Sequence, residues 1–153
     1  MRASLILVMA VALVLAMPAN SAAKRSLNLA DLPAAVQKTV LEQEQRATIL
    51  RLETTSLNEQ EVYEVQFKDG VSRRTVLIDS KGTVLQIREK IALSKVSPAA
   101  RKVIESSVGN GKIVGLETVK SASGLIAAYQ VKFKRNGAQS KLRISPDGRL
   151  APE

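Results

Sequence analysis

Val62-Tyr63-Glu64-Val65-Gln66-Phe67-Lys68 and Ala128-Tyr129-Gln130-Val131-Lys132-Phe133-Lys134 decide the fold. The second stretch repeats the first 66 positions later, and together they hold all four aromatic residues of the 153-residue chain. In each, an aromatic–Val–aromatic series alternates with polar side chains, the period of two expected of a half-buried β-strand. Tyr63, Val65 and Phe67 fall on one face and Glu64, Gln66 and Lys68 on the other. Aromatics spaced in this way around a valine read as core rather than as a stacking platform.

The repetition extends in both directions. Leu32-Pro33-Ala34-Ala35 matches Ser97-Pro98-Ala99-Ala100 at an offset of 65, and Ile49 to Thr54 matches Ile113 to Thr118 at 64. Ile78-Asp79-Ser80-Lys81-Gly82 matches Ile144-Ser145-Pro146-Asp147-Gly148 at 66. Drifting offsets mark small loop insertions between matched elements. Two copies are fewer than the three or so that a solenoid needs.

Each copy opens with a helix. Leu32, Val36 and Val40 recur at helical spacing in the first. In the second, Ser97 is a good N-cap with Pro98 behind it, and Gly109-Asn110-Gly111 ends a helix expected to be short. Strands are expected at 48–55, 61–68, 73–79 and 83–90, then at 112–119, 127–135 and 138–144. Asp69-Gly70 and Asn136-Gly137 are hairpin turns. After Gly148 the sequence reduces a counterpart of strand 83–90 to a stub. The expected fold is therefore α+β: two tandem helix-plus-three/four-strand antiparallel units, 31–92 and 93–153, with helices on one face of the sheet. The other face is wet or meets a partner.

Residues 1–23 read as a signal peptide. Met1-Arg2 is basic, Leu5 to Met17 is almost unbroken apolar sequence, and Ser21-Ala22-Ala23 supplies small residues for cleavage after Ala23. The apolar run falls short of the ~20 residues of a membrane span, so no stable span is expected after cleavage. Residues 24–30 then form a linker, and the protein is periplasmic or secreted. Cysteine is absent, so stability rests on burial rather than on disulfides.

The chain also contains no histidine. Without His or Cys the usual nucleophile–base pairs and zinc or copper ligands are missing, and the four Asp are too dispersed for a calcium loop. Neither enzyme activity nor a cofactor or metal is expected. Charge supplies the one positive signal. Residues 31–92 carry nine Lys/Arg against ten Asp/Glu, whereas residues 93–153 carry eleven against four. The Asn136-Gly137 turn sets a register in which Lys132 faces Lys141, Gln130 faces Arg143 and Lys134 faces Gln139, away from the core. Arg135 flanks the group. At the same offset the first copy has Gln66, Thr75, Glu64 and Leu77, nearly neutral. Like charges placed opposite each other are destabilising, so Lys132, Lys134, Arg135, Lys141 and Arg143 are the candidate site for an acidic protein patch or a phosphorylated envelope component. With the aromatics in the core, base stacking is unavailable, which argues against nucleic acid.

Leu32-Pro33-Ala34-Ala35-Val36, Tyr63-Glu64-Val65-Gln66-Phe67 and Val76-Leu77-Ile78-Asp79-Ser80-Lys81-Gly82 together resemble the PepSY-like domains grouped with the β-lactamase-inhibitor-like proteins, in two tandem copies. The resemblance implies an exported, non-catalytic binding or inhibitor-like module. Its two sheets would join into one surface that docks a peptidase or other envelope protein. The chain departs from the β-lactamase inhibitor in lacking disulfide cysteines and aromatics on the open face, so inhibition of that enzyme does not carry over. The alternative reading is an envelope protein that binds an anion or polyanion through the basic face of the second copy.

Overall fold

The structure, a computed structural model, describes residues 26–45 and 47–151. The expected signal segment with its cleavage point, and residues 152–153, lie outside the described residues. Helix α1 (Ala34–Glu44) is followed by β1 (Thr48–Leu57), β2 (Gln60–Asp69), β3 (Ser72–Ile78) and β4 (Val84–Lys90). Helix α2 (Pro98–Val108) is followed by β5 (Lys112–Lys120), β6 (Ile126–Arg135) and β7 (Ala138–Ile144). All seven strands form one antiparallel sheet in chain order.

Alternation places the core. Leu52, Val65, Phe67, Val76 and Ile78 pack against Leu32, Val36 and Val40 of the α1 segment, and Val65, Phe67, Val76 and Ile78 are fully buried. Leu116, Tyr129, Val131, Phe133 and Ile144 pack against Ala100, Ile104 and Val108 of α2. The two helices thus cover separate apolar clusters on the same face of the sheet. Tyr129 satisfies its polar end at the start of α2, where its hydroxyl accepts from Ser97 N–H at 3.3 Å. Residues ahead of α1 are docked too: Ser26 bridges Glu53, and Leu27 N–H donates to Leu52 O at 2.9 Å.

The turns after β3 and β7 lock each helix to the sheet. Gly82 lies under α1 at φ +83, so close that an added Cβ would stand 2.5 Å from Ala35 O. Thr39 Oγ1 donates to Gly82 O at 2.6 Å. The turn after β7 does the same under α2: a Cβ on Gly148 would stand 3.0 Å from Ala99 O, and Ser97 Oγ donates to Pro146 O at 2.6 Å. Asp79 closes its own turn by accepting from Lys81 N–H and Thr83 N–H. In the later turn, a hydrogen bond from Ser145 and the nearby Arg149 hold the Asp147 carboxyl below its ordinary pKa.

Three details differ from the sequence expectation. The β2–β3 loop is Gly70-Val71, with Asp69 still paired to Ser72. Gly70 takes φ +56, and glycine at the first position suits a type II′ hairpin as well as Asp-Gly suits type I′. Asn136 and Gly137 both take positive φ, the I′ pattern. Helix α2 is not short. Its 11 residues equal the 11 of α1, because Ser97 caps it and its apolar stripe continues to Val108. The β1–β2 strands also run further, meeting at Leu57–Gln60 around Asn58-Glu59.

Two substitutions test this packing. Phe133→Ala should lower unfolding stability by about 3–5 kcal/mol in urea titrations, the cost of emptying a buried aromatic site. Gly82→Ala should cost clearly more than Gly124→Ala. Both glycines sit at φ +83, but only Gly82 meets backbone within 4 Å. Equal losses would show that the helix contact carries no weight.

Candidate docking face

The sheet face opposite the helices has two electrostatic halves. In the first, charges are compensated. Glu64 on β2 is buried and accepts from Arg88 Nη2 of β4 at 3.0 Å, with Gln66 Nε2 at 3.4 Å from its other oxygen. Glu53 of β1 is buried beside Arg51 at 3.7 Å. Buried carboxylates need such partners, because desolvation penalises an unpaired charge.

The other half is built on β6 and β7, and its register is as expected. Lys132 lies opposite Lys141, Gln130 opposite Arg143 and Lys134 opposite Gln139. Lys132, Lys134, Lys141 and Arg143 share this face, and none of them makes an ion pair among the described residues. Lys132 is half-buried. Its stem runs over Gly115 of β5, where a Cβ would stand 3.6–3.9 Å from the lysine carbons. An amphipathic stem can cover the sheet in this way while its charged end stays in water. Arg135 does not join the group. The strand alternation turns it to the helix side, where Nη1 donates to Ser107 O at 3.3 Å. The face is bounded by Glu117, paired across to Gln130 on β6 and to Lys90 on β4.

Between the halves lies a feature that the alternation argument missed. Val62, Leu77, Val119 and Ala128 are at most 4% exposed, yet they belong to neither helix-packed cluster. Val119 faces Ala128 across β5–β6 and Arg88 across β4–β5, on the face opposite the helices. The available signal is the unbroken run Val76-Leu77-Ile78, which puts an apolar side chain on both faces of β3. Sequence reasoning also missed a mixed-charge hollow of about 680 Å³ beside the end of α1, lined by Glu44, Asp69, Arg73, Arg74, Glu89 and Lys90 among others. Arg74 there is already engaged, by a hydrogen bond to Gln43 O and by stacking 5.0 Å from the Phe67 centroid. Among the described residues, no group of three or more His, Cys, Asp or Glu could hold a metal ion, and no helix is long and apolar enough to cross a membrane.

The lysine pair gives a stability test. Lys141→Gln should leave the fold intact and raise unfolding stability by about 0.2–1 kcal/mol, the size of a relieved cross-strand repulsion. A loss would mean that Lys141 has a stabilising contact.

No protein-family model matches the sequence, and no curated protein does. Solved structures share its fold at low identity. A DUF2874 family protein from Bacteroides ovatus superposes with a TM-score of 0.62 at 16% identity, over 79% of this chain and 85% of that one. A Bacteroides eggerthii protein provisionally described as periplasmic gives 0.63 at 12%, over 79% and 86%. A BLIP-like protein from Bacteroides fragilis gives 0.56 at 16%, over 77% and 82%. The chain is thus similar in fold to BLIP-like and DUF2874 structures.

Proposed function

We propose that the protein is an exported, non-catalytic binding module. Two copies of one helix-on-sheet unit present a joined sheet face to another envelope or secreted protein. The observation that carries this reading is the pairing of β4 with β5, which makes one surface of seven strands whose far side no described helix covers. The BLIP-like fold supports protein binding in general. The periplasmic description of a neighbour of the same fold accords with the basic–apolar–small pattern of residues 1–23. Non-catalysis rests on the absence of histidine and cysteine from the whole chain.

Anion binding is the second reading. It is favoured by Lys132 and Lys141, held face to face with no ion pair to a carboxylate among the described residues. The two readings part on salt. The processed protein, immobilised and exposed to the periplasmic fraction of its own source, should retain specific proteins through a high-salt wash, and Lys132→Glu with Arg143→Glu should reduce their yield. Retention only of polyanionic material, lost steeply as salt rises, would sink the protein-docking reading, because phosphate contacts lose affinity with log salt.

A further inference from the structure

We propose that the outer edge of β7 accepts an extended acidic segment of a protein partner as an eighth strand. This deepens the docking function above and rests on it for the existence of a partner. It starts from a difference between two edges that share one register. Tyr63 lies opposite Ile78 on β2–β3, and Tyr129 lies opposite Ile144 on β6–β7. β3 is then covered by β4, which pairs Arg74 with Glu89, Thr75 with Arg88 and Val76 with Ile87. Beside β7 the described chain adds only the bridge from Ile144 to Leu150 and a bond from Ala151 N–H to Arg143 O at 2.9 Å. Among the described residues, no strand lies beside 138–142.

The edge specifies its occupant. Arg135 and Ala138 close a two-residue loop, so 138, 140 and 142 hydrogen-bond toward β6, while 139, 141 and 143 turn their N–H and C=O outward. The bond that Arg143 O accepts from Ala151 lies on this outward series. Gln139, Lys141 and Arg143 also send their side chains to the open face, beside Lys132. Ala151 already fills the slot beside Arg143, so a strand laid along the rest of the edge puts its own hydrogen-bonded residues beside Gln139 and Lys141, where a carboxylate meets the Lys141 ammonium. The residue next to the partner of Lys141 falls on the helix side, beside Leu142. Leu142 is half-buried, whereas Val76 at the matching position under Ile87 is 0% exposed. An apolar side chain there completes the cover. A cleft of about 110 Å³ lined by Gln130, Lys141, Leu142 and Arg143 lies where β7 meets β6. The recognised pattern is an alternation of acidic and apolar residues in an extended segment.

Other occupants fit less well. A second copy of β7 sets lysine and arginine against lysine and arginine, and lysine on an edge strand opposes such pairing. A polyanion meets the charges but leaves the outward amides and Leu142 unused.

The test uses a capped heptapeptide of alternating Glu and Val, titrated into the protein with and without residues 1–23, with amide exchange read by NMR. We expect saturable binding and slowed exchange at the outward amides of Gln139 and Lys141. Lys141→Gln and Arg143→Gln should each weaken binding about two- to fivefold. N-methylating a peptide amide that meets the edge should weaken it about fivefold, which leaves the protein untouched and so removes misfolding as an explanation. Equal binding of inorganic polyphosphate or of a block Glu-then-Val peptide, without slowed exchange at the edge, overturns the proposal in favour of a plain charged face. Slowed edge exchange without peptide overturns it too: dependence on protein concentration assigns the edge to a second copy, and dependence on residues 1–23 assigns it to the chain's own N-terminus. If captured proteins survive competition by the peptide and the Gln139→Pro change, strand addition fails while docking elsewhere on the face stands. If the peptide binds at the edge and no protein is captured, the docking function fails instead.

Discussion

The pairing of β4 with β5 is the contact on which the rest of the molecule depends. It spans four residue pairs, Ile87–Lys120 to Lys90–Glu117, and continues through Ile91 N–H to Leu116 O. Without it each half would end in an open edge with unpaired backbone groups, a liability that folded proteins avoid. The seam is polar on the helix side. Lys120 Nζ reaches Glu89 at 2.5 Å, and Thr118 Oγ1 donates to Glu89 O at 3.3 Å. Partly exposed ion pairs of this kind add little stability. The seam holds because backbone hydrogen bonds are satisfied there, and it aligns the compensated and uncompensated halves of one face.

Much of this is legible in the sequence. Period-two alternation around Tyr63-Val65-Phe67 and Tyr129-Val131-Phe133 assigns the core face correctly, because a one-residue slip would carry every apolar side chain into water. The Asn136-Gly137 turn then fixes the cross-strand partners of Lys132 and Lys134. What could not be read follows from physics that acts beyond the strand. Asp69-Gly70 and Gly70-Val71 are both acceptable two-residue loops, and the observed one sets Phe67 opposite Arg74 and Val65 opposite Val76. The joining of the halves needs the β4–β5 ladder, which no side-chain pattern announces. The buried set Val62, Leu77, Val119 and Ala128 lies on the face that alternation assigns to polar residues.

The candidate site was legible in part for the same reason. Strand parity placed Lys132, Lys134, Lys141 and Arg143 together, and it also separates Arg135 from them, since an odd step along β6 crosses the sheet. The contact of the Lys132 stem with Gly115 was invisible, because strand parity says nothing of how a long side chain lies over the neighbouring strand.

The two apolar clusters have a consequence for how the molecule opens. Each helix is held by its own cluster and by its own glycine turn, and the two clusters share no residue. Local opening occurs in contiguous cooperative units that often coincide with supersecondary motifs, so one continuous seven-stranded surface is backed by two such units, each with its own core.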